Sequence, residues 1–185
     1  MSQTIYTAAI DTPLGAMRAF VADNTLVGLW FTDRCLFPTE YGASVPVHPL
    51  FSSVQEWLDV YFAGQEPSIS ISLKTNGTPF QETVWALLKK IPYGKTVSYG
   101  GLAGEAAASM GVSRMSAQAV GGAVGRNPLS LIIPCHRVVG KNGELTGYGG
   151  GLERKSFLLQ LERREDISLT PSSTAVDYRA GKAVS

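Results

Sequence analysis

The stretch Leu131-Ile132-Ile133-Pro134-Cys135-His136-Arg137-Val138-Val139-Gly140 decides how the rest of the chain is read. An apolar run, expected as a strand to Ile133, stops at a proline and delivers a cysteine and a histidine side by side. Pro134 fixes its own φ and pushes Ile133 into extended backbone, so the thiol is expected at a defined strand end. Most free cysteines are small buried hydrophobes without chemistry. One held this firmly beside an imidazole has the makings of a nucleophile, because a thiol reacts as thiolate and needs a base or positive field nearby.

Downstream, apolar residues around Val138-Val139 and Glu144-Leu145-Thr146 flank Lys141-Asn142-Gly143, and Asn-Gly between such runs predicts a hairpin ribbon. A last helix is expected from Leu152 to Arg163. Upstream, Thr78 is a plausible N-cap with Pro79 in the first helical position, and Phe80 to Lys90 should bury Phe80, Val84, Leu87 and Leu88. A second helix follows from about Tyr99 to Ala108 with Ser98 as cap, and a third from about Ser113 to Val124. The short Met110-Gly111-Val112 connection makes that pair a helix-turn-helix, which lays its second helix in a DNA groove.

The N-terminal part reads differently. Ile5 to Ile10, Ala16 to Ala22 and Leu26 to Phe31 are expected strands, broken by turn signals at Asp11-Thr12-Pro13-Leu14-Gly15 and Asp23-Asn24. A loop from Asp33 to Pro49 leads into an amphipathic helix, Phe51 to Phe62, ended by Gly64. Ile69, Ile71 and Leu73 suggest a further extended segment before a linker. The organisation is an α/β domain over 1–74, a linker over 75–78, a mainly helical domain over 79–165 and a flexible tail over 166–185.

Charge divides along the same line. Residues 1–78 carry three basic and seven acidic side chains, and residues 79–165 eleven and six, within a total of +1. The basic half suits a polyanion, and a solvated face accounts for it nearly as well. No apolar run near the length of a membrane span and no secretory signal appear. Cys35 and Cys135 give no paired framework, which makes a reducing cytosol the natural compartment and no disulfide expected.

Pro134-Cys135-His136-Arg137-Val138 resembles the active-site signature of the O6-alkylguanine-DNA alkyltransferases. The resemblance extends through Phe80-Gln81, Val84-Trp85, Ile91-Pro92, Gly94, Ser98-Tyr99, Leu102-Ala103, Ala119-Val120-Gly121-Gly122-Ala123, Asn127-Pro128, Gly147-Tyr148, Gly150-Gly151-Leu152 and Lys155. It implies a ribonuclease H-like sheet-plus-helix N-terminal domain and a winged helix-turn-helix C-terminal domain. It also implies DNA repair in which an alkyl group leaves O6 of guanine, and O4 of thymine, for Cys135. The thioether formed has no leaving group that water can displace, so each molecule acts once.

The resemblance further implies roles residue by residue. Cys135, His136 and Glu162 form a relay with a water between thiol and imidazole, Asn127 braces the active-site turn, and Tyr99 donates a proton to the departing base. Ser113, Gln118, Ala119, Gly121, Gly122 and Arg126 meet the minor groove of double-stranded DNA, while Val138, Tyr148, Gly149 and Gly150 line the alkyl pocket. Many relatives carry an arginine where this chain has Gln118, which can hydrogen-bond an orphaned base but brings no charge. The protein is expected to be a cytoplasmic monomer without cofactor or metal.

Other readings of the residues stay open at this point. Gly94-Lys95-Thr96 imitates a phosphate-binding loop, yet Lys89 stands where its first glycine belongs. Cys35 and His48 cannot make a structural zinc site by themselves. A cysteine hydrolase would use Cys135, His136 and Asn127 but turn its substrate over, and a DNA-damage sensor would leave the thiol unmodified.

Overall fold

The computed structural model describes residues 4–34, 47–68 and 70–164. Cys35, Ile69, most of the expected loop before Val47 and the tail over 166–185 lie outside them.

Three strands, β1 (Ile5–Ile10), β2 (Met17–Ala22) and β3 (Thr25–Phe31), form an antiparallel meander in the order β1-β2-β3. The β2–β3 turn is Asp23-Asn24, both at positive φ, as a tight two-residue hairpin requires. Helix α1 (Pro49–Phe62) starts on the imidazole of His48, whose Nδ1 accepts from the Leu50 amide at 3.1 Å. It buries Phe51, Val54, Trp57, Leu58 and Tyr61. Each such side chain contributes about 1.5–3 kcal/mol of transfer free energy, which outweighs any local preference of this segment.

The free edge of β3 is closed by two separate segments. Leu26 exchanges backbone bonds with Ser72 and Lys74, and Leu29 with Pro128 and Ser130, at 2.8–3.0 Å. The second pair comes from the C-terminal half, so sealing an exposed strand edge also fastens the sheet to the active-site region. One continuous apolar core runs from Met17 through α1 to Val138 and Leu158.

Helix α2 (Pro79–Leu88) carries the expected Thr78 cap and completes a capping box with Gln81. The expected linker over 75–78 is tied to it, because Glu82 accepts from Thr75 Oγ1 and from the Gly77 amide. The strand β4 (Val97–Ser98) leads into α3 (Tyr99–Ser109), with Ser98 as cap. The next helix, α4 (Ala117–Gly125), begins later than the sequence suggested: the hydroxyl of Ser116 accepts from the Ala119 amide and sets the start there. Ser113 therefore lies in the α3–α4 connection.

Two further expectations are corrected. The run Leu131–Ile133 is a buried turn, with Leu131 at φ 70° and the Ile133 amide bonded to Leu129 O, and Cys135–Arg137 is a 3-10 turn. Pro134 has no N–H to continue a ladder, so the apolar run satisfies burial and not pairing. The ribbon also fails. Val138–Val139, strand β5, pairs in parallel with β4, and Glu144–Thr146 is not a strand although the Gly140 amide does bond Glu144 O. The carbonyls of Val138 and Thr146 are both taken by the ammonium of Lys155, at 2.5 and 2.6 Å. That residue lies on α5 (Leu152–Arg163), the last described helix.

Candidate active site

The 3-10 turn puts Cys135, His136 and Arg137 into the interior together, at 6%, 0% and 8% exposure. Successive residues of such a turn are rotated by roughly a third of a circle, so thiol and imidazole point apart without facing opposite sides of a strand. Asn127 holds the thiol's side of the site. Its Nδ2 donates to Ile133 O at 2.7 Å and to Cys135 Sγ at 3.1 Å, and its Oδ1 accepts from the Leu129 amide at 2.9 Å. The backbone of Asn127 is gripped in turn by the sheet, where Trp30 Nε1 donates to its carbonyl at 3.1 Å.

On the other side, His136 Nε2 and Glu162 Oε1 are 2.7 Å apart. Burial works to raise the Glu162 pKa, but hydrogen bonds and charge from His136 and Arg137 overcome it and hold the carboxyl at about 2. An ionised carboxylate only accepts, so Nε2 carries the hydrogen and Nδ1 the lone pair. Nδ1 is buried and has no hydrogen-bond partner among the described residues. Arg137 donates to both Glu162 oxygens, from Nε at 2.8 Å and from Nη2 at 3.0 Å, while its Nη1 bonds Ile91 O.

Burial sets the resting protonation of the pair. Burial pushes the Cys135 thiol up, against opposition from the Asn127 hydrogen bond and the Lys155 charge, and burial pushes His136 down against the pull of Glu162. The resting pair is thus neutral thiol and neutral imidazole, not a pre-formed thiolate. A reaction at sulfur therefore has to move the thiol proton.

Tyr99 opens α3 beside this centre, its hydroxyl donating to Gly147 O at 2.8 Å. Burial raises its pKa, and the proximity of Cys135 adds to that. Val138 is fully buried, and Tyr148 stands edge-on to His136 with ring centroids 6.4 Å apart, its hydroxyl buried without a partner among the described residues. A Cβ on Gly150 would lie 2.5 Å from the Tyr148 ring, so only glycine lets this loop pass; one on Gly149 would meet nothing within 4 Å. Lys155 is fully buried, with its ammonium 5.8 Å from the Tyr99 ring. Burial lowers its pKa to about 8, opposed by Cys135.

The structure brings Cys135, His136, Glu162 and Asn127 into one connected group, with Tyr99, Val138, Tyr148, Gly149 and Gly150 around it. Ser113, Gln118, Ala119, Gly122 and Arg126 are exposed. Gly121 connects the two regions, since a Cβ there would sit 3.7 Å from the Tyr99 ring. Sequence reasoning missed Trp30, Tyr61 and the part played by Arg137. Arg137 could have been suspected from its place in the motif, whereas Trp30 and Tyr61 read as ordinary core aromatics.

A buried, neutral thiol that accepts from a donor amide, next in sequence to a carboxylate-backed imidazole, marks a protein built around one cysteine. Residues 79–164 match the family described as 6-O-methylguanine DNA methyltransferase, DNA binding domain. The chain is 42% identical over 162 residues to the methylated-DNA--protein-cysteine methyltransferase of Mycolicibacterium paratuberculosis, covering 87% of this chain and 94% of that one. It is 49% identical over 161 residues to the protein of the same name from Haemophilus influenzae, covering 86% and 87%. A crystal structure of Mycobacterium tuberculosis OGT in complex with DNA superposes with a TM-score of 0.72 at 41% identity, over 86% of this chain and 93% of that one. The chain belongs to the methylated-DNA--protein-cysteine methyltransferase family. Among the described residues no helix is long and apolar enough to cross a membrane.

Proposed function

We propose that this protein repairs DNA by moving the alkyl group of O6-alkylguanine, and of O4-alkylthymine, onto Cys135, once per molecule. The observation that carries the reading is the thiol itself: buried, hydrogen-bonded by Asn127 and adjoining an imidazole whose free Nδ1 can take its proton. The protein acts as a cytoplasmic monomer without a cofactor. Its ribonuclease H-like unit spans 1–74, and the winged helix-turn-helix unit over 79–165, in which α3 and α4 form the motif, does the transfer.

The exposed face of α4 docks in the minor groove, with Ser113, Gln118, Ala119, Gly121, Gly122 and Arg126 as contacts. Extruding the damaged nucleotide costs a few kcal/mol, offset by contacts to the opened duplex, including Gln118 on the orphaned base. The base then lies between Val138, Tyr148, Gly149 and Gly150. Sγ attacks the O6-alkyl carbon, the carbon–oxygen bond breaks and its electron pair stays with the guanine. The thiol proton passes through a water to His136 Nδ1, and Glu162 stabilises the imidazolium. Tyr99 leaves Gly147 O to supply a proton to the leaving base, which is then not released as a bare anion.

The test is intact-protein mass after incubation with an O6-methylguanine duplex. One added methyl per chain, present in Cys35→Ser and absent in Cys135→Ser, is the expected result. Tight binding without a mass change would leave a damage sensor in its place, and repeated turnover of a peptide ester would point to a hydrolase.

A further inference from the structure

The N-terminal half reaches Glu162 and His136 with a side-chain hydroxyl. Tyr61 lies on the buried face of α1, stacked on Trp57 with ring centroids 5.5 Å apart and edge-on to His136 at 6.3 Å. Its hydroxyl donates to Glu162 Oε1 at 2.7 Å and stands 3.2 Å from His136 Nε2. A carboxylate offers about four lone-pair positions. Glu162 is approached by more donors than that: Oε1 by His136 Nε2, Tyr61 Oη and Arg137 Nη2, and Oε2 by Arg137 Nε and the Gly94 amide. An oxygen this crowded accepts weakly from each donor and is a poor destination for the proton on Nε2.

Resting on the alkyl-transfer reading, we propose that Tyr61 is a positioning residue of that reaction: its hydroxyl shares Glu162 Oε1 with His136, keeping the proton on Nε2 and Nδ1 neutral to receive the one from Cys135. In the step it serves, the S–H bond breaks, an N–H bond forms at Nδ1, Nε2–H stays, and the sulfur pair makes the new bond to carbon as the bond to O6 breaks. The groups facing His136 are Glu162 and Lys155 from α5, Arg137 and Cys135 on its own turn, Tyr61 from α1 and Tyr148 from the glycine-rich loop. Of these, Tyr61 is a neutral donor whose hydroxyl can be removed while the ring stays. Without that hydroxyl, Oε1 bonds Nε2–H more strongly, the imidazolium gains, and His136 titrates at higher pH.

The experiment compares wild type, Tyr61→Phe and Val54→Ala, the last a loss of packing on the same buried face of α1. Single-turnover methyl transfer from an O6-methylguanine duplex is followed from pH 5 to pH 9. In parallel, the ring nitrogens of the two histidines, His48 and His136, are followed by ¹⁵N NMR. In Tyr61→Phe the acid limb of transfer and the His136 midpoint rise together. A rise of about one unit slows transfer about tenfold below both midpoints and little at pH 8. Val54→Ala lowers the unfolding midpoint and moves neither pH value. Normal wild-type transfer with no shift in Tyr61→Phe, or an equal shift in Val54→Ala, overturns the proposal alone. Wild-type protein that transfers no methyl overturns the alkyl-transfer reading and this proposal with it.

Discussion

The relay around Cys135 and the exposed face of α4 are built on opposite principles. In the relay nearly every polar atom has a partner inside the protein, and Glu162 has more donors than lone pairs. On α4 the side chains shrink to Ala117, Ala119, Gly122 and Gly125, with Gln118 the one long polar group among them. The relay fixes geometry through internal bonds, whereas α4 offers a backbone that a partner can approach closely. Removing the relay's internal hydrogen-bond partners should therefore cost chemistry and stability together, whereas changes on α4 should act on the duplex without a loss of stability.

Cys135→Ser should abolish methyl transfer while the thermal midpoint and duplex binding stay near wild type, read by mass and by calorimetry. Asn127→Ala should follow in size. It leaves the Leu129 amide buried without its partner, while Ile133 O keeps the Cys135 amide, for a loss of about 1–3 kcal/mol in denaturant unfolding and a slower transfer.

Acid should reach the relay before it reaches α4. Glu162 has a folded-state pKa of about 2 against an ordinary 4.5, so the folded carboxyl binds its proton less readily than the unfolded one. Its contribution is complete above the unfolded value and is lost as pH falls from about 4.5 towards 2. Stability measured through that window should decline in wild type and more shallowly in Glu162→Gln, which starts lower because the buried Arg137 loses its counter-charge.

Gly122→Ala separates the two regions most cleanly. Nothing lies within 4 Å of a Cβ there, so alanine should stabilise α4 by about 0.5–1 kcal/mol. If the helix docks as proposed, the same methyl group weakens duplex binding; a variant both more stable and equally tight would remove α4 from the interface. Gln118→Ala should have the smallest effect, a few-fold slower transfer from duplex with unchanged stability, and no change from a single-stranded substrate.

Local patterns carried most of the elements. Thr78-Pro79 and Ser98 cap α2 and α3 where expected, and Asp23-Asn24 turns the hairpin, because caps and tight turns are settled by atoms a few residues apart. The errors fall where distant atoms intervene. Val138–Val139 has the composition of a hairpin arm, but β4 offers it a ladder and Lys155 occupies the carbonyls of Val138 and Thr146. The apolar run before Cys135 reads as a strand, yet its residues are buried through a turn whose carbonyl at Ile133 is held by Asn127.

By itself, the sequence picked out the candidate nucleophile and its setting: Pro134-Cys135-His136 is contiguous, and a proline before a cysteine constrains the thiol whatever the rest of the chain does. Tertiary structure alone decided how that thiol is held at rest. Trp30 lies 97 residues from Asn127 and Tyr61 101 residues from Glu162, and each bond exists because burying the sheet and α1 against the C-terminal half leaves polar atoms that must find partners inside. The same burial sets the proton balance, since it disfavours both the thiolate and the imidazolium.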